Sequence, residues 1–249
     1  MALNRRGYTL IEMVIYIGLF AVAMVTIGSV YILSSRTQKQ VYADALVSGR
    51  TGSALDVIRK DLQTTALASI TAYPNKTSST EAPGLSMAGA YDDKRNFVIN
   101  DYGAPQWDST VFYTVKKTNA KTGTLYRWQE DVSDKDKLPQ LPQLSSMLPS
   151  ALKDNSHALL ENVLLSNLTI DGVGEGGKFD TGDGGGFEVM FVRREGGEDG
   201  TESLTAENPR TQPANGNTRL VQVTLKILRD EGSSPPTLFT QTIRVTPRH

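Results

Sequence analysis

The sequence predicts an α+β protein: a long N-terminal helix, transmembrane in its first half, packed on an antiparallel β-sheet head. Three observations carry that expectation. From Tyr8 to Leu33 the chain holds a single charge, Glu12. Apolar and small residues then recur at spacings of three or four as far as Leu62, and beyond Pro74 the period changes to two. A 3.6-residue period marks a helix and alternation marks strands, and a helix followed by a run of strands gives segregated layers.

The apolar span Tyr8–Leu33 is long enough to cross a hydrocarbon core of about 30 Å as a helix. Arg5 and Arg6 precede it, as cytoplasmic flanks of membrane helices do. Glu12 is the residue that needs an account. A carboxylate at the centre of a membrane helix costs roughly 2.5–3.5 kcal/mol on insertion scales, so such a group has a partner and a function. Three other readings of the stretch fit less well. A plain single-pass anchor leaves Glu12 unexplained, a secretory signal cut after Ala21-Val22-Ala23 would carry an acid in its apolar region, and a buried core helix of a soluble protein is disfavoured by the length of the span and its lack of polar residues on any face.

Beyond the span, Val41, Ala45, Ser48, Gly52, Leu55, Ile58 and Leu62 form one narrow stripe, with Arg50, Asp56, Arg59 and Lys60 elsewhere on the cylinder. The helix is therefore expected from Tyr8 to about Ala68, near ~90 Å at about 1.5 Å per residue. Gly18, Gly28, Gly49 and Gly52 either loosen it or allow close helix contact. Pro74 and the polar run Asn75–Thr80 end it.

Strands are expected at Asn96–Asn100, Thr110–Lys116, Gly123–Gln129, Val163–Ile170, Phe187–Arg193, Leu220–Arg229 and Leu238–Val245. The polar link Lys117–Thr122 joins the second and third as a hairpin, and the proline-bearing stretch Asp131–Pro149 crosses the surface. Trp107, Trp128, Tyr91 and Tyr102, in or beside strands, are expected in the core.

With 249 residues and 39 % hydrophobic content, the chain supports one domain or two with a real core. It has no cysteine, hence no disulfide, thiolate metal site or thiol nucleophile. The formal charge of −1 gives no basic surface for nucleic acid.

The basic leader, Gly7 and a Glu at the fifth position after it together resemble the class III signal of type IV pilins and pseudopilins. That resemblance implies peptidase cleavage after Gly7, methylation of the new N-terminus at Tyr8, and a carboxylate, Glu12, that meets the cationic N-terminus of a neighbouring subunit. Opposite charges in a low dielectric each relieve the other's burial cost. Most relatives carry Phe where Tyr8 stands, and Ser29 occupies a position where major pilins often have Pro. Loss of the leader takes Arg5 and Arg6 and moves the formal charge from −1 to −3. The expected organisation is a leader over 1–7, a transmembrane and filament-core helix over 8–33, its amphipathic continuation over 34–68 and a β-rich head over 69–249.

Later segments resemble minor pilins of the PilW type and the J-type minor pseudopilin of type II secretion. They are Leu55-Asp56-Val57-Ile58-Arg59-Lys60-Asp61-Leu62-Gln63 at the helix end, and Val111-Phe112-Tyr113 before Gly123-Thr124-Leu125-Tyr126-Arg127. Leu159-Leu160-Glu161-Asn162-Val163 with Leu168, and Val221-Gln222-Val223-Thr224-Leu225, complete the set. The resemblance implies a structural subunit of a pilus or pseudopilus that helps initiate assembly in a tip complex. Its implied partners are the prepilin peptidase, other minor and major pilins, the bacterial inner membrane and an assembly platform, with the head exported and no cofactor. Glu12 argues against a capping subunit, which usually lacks the acid. A tip-displayed module for adhesion or DNA uptake, and a plain anchored domain, are the alternatives.

No enzyme is expected, because His157 and His249 lack the Ser or carboxylate spacing of a catalytic set. The glycine-rich stretch Gly172–Gly186 precedes a strand rather than a helix, unlike a phosphate cradle. Asp180, Asp183 and Glu188 are weak Ca²⁺ candidates: the third and fifth positions from Asp180 are glycines, unlike an EF-hand loop, and a flexible turn is the favoured reading. The acidic, polar loop Gly196–Asn217 is expected to be a solvated connection.

Overall fold

The computed structural model describes residues 9–73, 84–90, 96–135, 156–165, 169–171, 178–180, 185–193, 218–229 and 236–247. Among the described residues the one α-helix, α1, runs Leu10–Gln63, and the chain divides into two units, Met1–Val47 and Ser48–His249.

In the first unit none of residues 9–47 is buried. Among the described residues this is the one helix long and apolar enough to cross a membrane, and its apolar window is wholly uncovered. The expected stripe is thus exposed at Val41 and Ala45. A helix apolar on every side has no preferred face to bury within its own chain.

In the second unit the helix buries Thr51, Ala54, Leu55, Ile58, Asp61 and Leu62 along one face. It is fastened to the sheet at both ends, by Ser48 and by Asp61. The helix stops at Gln63, short of the expected Ala68, for a local reason. The β-branched Thr64 and Thr65 turn their hydroxyls back onto the Asp61 carbonyl at 2.9 Å each, taking an acceptor that the next helical N–H would need. A 3-10 turn at Leu67–Ser69 follows, and the Ser69 hydroxyl accepts the Ala88 N–H at 3.2 Å.

The strands are β1 (Thr71–Tyr73), β2 (Gly84–Gly89), β3 (Ser109–Lys117), β4 (Thr122–Asp131), β5 (His157–Leu164), β6 (Thr169–Asp171), β7 (Lys178–Asp180), β8 (Phe187–Arg193), β9 (Thr218–Arg229) and β10 (Thr237–Val245). Eight of them form an antiparallel sheet in the order β1-β2-β3-β4-β5-β9-β10, with β8 also paired to β9; β6 and β7 form a separate ladder. The α+β architecture is therefore as expected.

The β3–β4 hairpin pairs without a break from Ser109↔Asp131 to Lys117↔Gly123, as long a regular pairing as that of β9 with β10. Its turn is closed by the Asn119 side chain, whose Oδ1 accepts the N–H groups of Lys121 and Thr122 at 2.9 and 2.7 Å. Alternation then sorts the residues. Val111, Tyr113, Val115 and Leu125 share one side; Phe112 and Trp128, directly opposed in register, stack on the other with centroids 5.1 Å apart.

Two expectations on strands are corrected, and β2 stands where no strand was expected. Asn96–Asn100 is not a strand: Phe97 and Ile99 take part only in isolated bridges, Ile99 with Pro105, and the Asn100 carboxamide captures the N–H groups of the turn that follows. Val163–Ile170 is divided between the end of β5 and β6. β2, Gly-Leu-Ser-Met-Ala-Gly, escapes a propensity argument because it lacks β-branched residues; pairing with β3 and complete burial hold it in place. The expected helix end at Pro74–Thr80 and the loop Gly196–Asn217 lie outside the described residues, as does most of Asp131–Pro149.

Candidate functional site

Two polar constellations stand out. The first is at the start of α1. Thr9 is the residue before the helix, and Glu12 stands in its first turn. The Glu12 carboxylate accepts the Thr9 backbone N–H at 2.8 Å and the Thr9 hydroxyl at 3.0 Å through the same oxygen. In return the Glu12 N–H reaches the Thr9 hydroxyl at 3.4 Å. This is the reciprocal arrangement of a capping box, in which a hydroxyl and an acid three residues on satisfy N–H groups that the helix leaves open. The exposed carboxylate is thereby held at the positive end of the helix dipole, one peptide unit from Tyr8. Gly7 and Tyr8 themselves lie outside the described residues.

The second joins α1 to the β3–β4 hairpin. One oxygen of Asp61 accepts the Tyr113 hydroxyl at 2.5 Å and the Arg127 Nε–H at 2.7 Å. Tyr113 and Arg127 are cross-strand neighbours, so the hairpin register delivers both donors to one point. Tyr113 is fully buried and the Asp61 side chain nearly so, whereas Arg127 is only partly covered. Burial, and then the Asp61 charge, push the Tyr113 phenol well above its usual range. For Arg127 burial pulls the other way, but hydrogen bonding to Asp61 prevails and holds the guanidinium above its ordinary value. The geometry is that of a fastening: the Arg127 guanidinium neutralises a buried acid on the helix, the Tyr113 hydroxyl hydrogen-bonds it, and together they fix where the helix end sits on the sheet.

These three residues come from segments that sequence reading singled out separately: the helix end, the Tyr-bearing strand and the Gly-x-Leu-x-Arg hairpin. Their meeting was not foreseen. The available signal was Asp61 itself, a charge one turn beyond Ile58 on the buried stripe.

The other candidates fall partly outside the described residues. Glu188 lies within 3.7 Å of Lys226 Nζ, Asp180 ends β7, and Asp183 lies outside the described residues. Among the described residues no cluster of three His, Cys, Asp or Glu side chains could hold a metal. His157 begins β5 on the surface, and His249 and Tyr91 fall outside the described residues. Trp107 and Trp128 are core residues as expected, whereas Tyr102 is exposed.

Residues 3–28 match the family model of the prokaryotic N-terminal methylation motif. The match supports a class III, prepilin-type signal, and with it a type IV pilin-like protein, processing by a prepilin peptidase and anchoring in a membrane. No curated protein and no solved structure matches the chain.

Proposed function

We propose that the protein is a minor pilin or pseudopilin, a structural rather than catalytic subunit that helps initiate a type IV pilus or type II secretion pseudopilus within its tip complex. The observation that carries the proposal is Glu12, the one charge in the apolar span that ends at Leu33, at the fifth residue after Gly7 in the matched signal. Cleavage after Gly7 frees the Tyr8 amine, and a neighbouring subunit's amine neutralises Glu12 as the helix enters the filament. The chain then spans the inner membrane once, with its head exported, before assembly among other minor and major subunits. The PilW-like and J-type-like segments support the minor role, since Asp61, Tyr113 and Arg127, one from each of three such segments, make a single fastening.

The test is incorporation of Glu12→Ala and Glu12→Gln variants into sheared filaments, alongside wild type at equal membrane abundance. Both variants are expected to be cleaved normally and to be lost from the fibre fraction. Incorporation at the wild-type level would overturn the assignment of Glu12.

A further inference from the structure

In the unit Ser48–His249, the large apolar side chains exposed among the described residues are Ile99, at 58 %, and Tyr102, at 95 %. Both stand on one loop, and that loop is braced. The Asn100 N–H donates to the Ala104 carbonyl at 2.8 Å and the Gly103 N–H to the Asn100 carbonyl at 2.9 Å. The Asn100 Oδ1 accepts the N–H groups of Tyr102 and Ala104 at 3.1 and 3.0 Å, and Gly103 takes a φ of 79° that completes the turn. At its base Trp107 packs with Ala88, Ala90 and Phe97, and Asp108 pairs with Lys135. The tip therefore presents a tyrosine and the exposed carboxylate of Asp101 in a fixed arrangement, and a preorganised aromatic loses little entropy on binding.

The other unit carries the complementary surface. Arg36, Lys39, Tyr42 and Leu46 are spaced three, three and four apart and share one face of α1 beyond the apolar span. All four are exposed, Tyr42 at 72 % and Leu46 at 44 %. Two cations and two apolar side chains on a helix match an anion and two apolar side chains on a rigid tip.

We propose that the Ile99–Tyr102 tip docks on the Arg36–Leu46 face of a second copy of this chain, Asp101 meeting the cations and Tyr102 packing beside Tyr42 and Leu46. The two patches differ, so the contact is heterologous and leaves a tip free on one copy and a helix face free on the other. Such contacts build rings where the rotation closes and open filaments where it does not, rather than closed pairs. The inference goes beyond the proposed role, which names other subunits as neighbours, by placing a second copy of this chain beside the first, and it does not depend on Glu12.

The test uses the full chain, prepared in light and heavy nitrogen isotopes, with Tyr102 replaced by the photo-crosslinker p-benzoylphenylalanine in the light copy. The two are mixed and reconstituted into phosphatidylcholine vesicles. Mass spectrometry is expected to find position 102 of the light copy joined to the Arg36–Leu46 segment of the heavy copy. Asp101→Lys in the light copy should lower that yield about two- to fivefold, the scale of a surface ion pair, and Lys39→Glu in the heavy copy should restore it. Cross-links within one copy, to lipid, or to another segment would overturn the proposal, as would a drop that Lys39→Glu does not repair. Normal cleavage and Glu12-dependent incorporation alongside such a failure would leave the pilin assignment standing.

Discussion

Replacing Asp61 with Ala leaves the Arg127 guanidinium enclosed against the sheet with its Nε–H unpaired, and strips the Tyr113 hydroxyl of its acceptor. Breaking a buried charge pair from one side costs about 3–5 kcal/mol. We expect Asp61→Ala to lose that much in urea unfolding of the detergent-solubilised chain, and Asp61→Asn to lose less because the amide oxygen still accepts. The same site gives a pH dependence. The folded state raises the Tyr113 pKa, so the folded chain holds that proton more tightly than the unfolded one, whose phenol titrates near about 10. This contribution is fully present below about pH 10 and is lost as pH climbs through the raised value. Comparing unfolding midpoints at pH 8 and pH 11 should show a smaller alkaline loss in Tyr113→Phe than in wild type; equal losses would contradict the assignment.

At the scale of elements, the junction of β5, β8 and β9 depends on Gly186. Its N–H donates to the Leu164 carbonyl at 3.0 Å and its carbonyl accepts the Lys226 N–H at 2.7 Å. A Cβ there would lie 2.5 Å from the Leu164 nitrogen and 2.6 Å from the Lys226 oxygen, both backbone atoms that cannot swing aside. Gly186→Ala should therefore destabilise the sheet by about 1–3 kcal/mol, the range for overpacking, seen as faster hydrogen exchange at Leu164 and Lys226. Gly49→Ala is the contrast, since open space surrounds its Cβ direction and alanine favours a helix by about 1 kcal/mol.

Elements with strong periodicity were legible in the chain: α1, the β3–β4 hairpin, β8, β9 and β10 all fall close to where alternation or 3.6-residue spacing puts them. What escaped was set by tertiary context. β2 is made of small and unbranched residues whose strand state comes from β3 pairing, and the loop at Asn100 owes its shape to one carboxamide that outcompetes alternation. The site was half legible. Glu12 announces itself as a charge where none is expected, and its pairing with Thr9 was equally open to reading, since Thr-x-x-Glu before an apolar run is the spacing of a capping box. Asp61 sat in plain view on the buried stripe, yet only the hairpin register shows that Tyr113 and Arg127 arrive at the same oxygen.

On the scale of the whole molecule, an uncovered apolar helix and a well-packed β-rich unit occupy one chain. An apolar surface left bare by its own protein needs lipid or other helices around it, and a prepilin-type signal supplies a route from the first to the second. The most direct test is the N-terminus of the mature protein, determined by intact mass and peptide sequencing of material recovered from filaments. The account predicts a chain that starts at an N-methylated Tyr8, with residues 1–7 absent. A chain that keeps Met1, or one that begins just after Ala23, would contradict it.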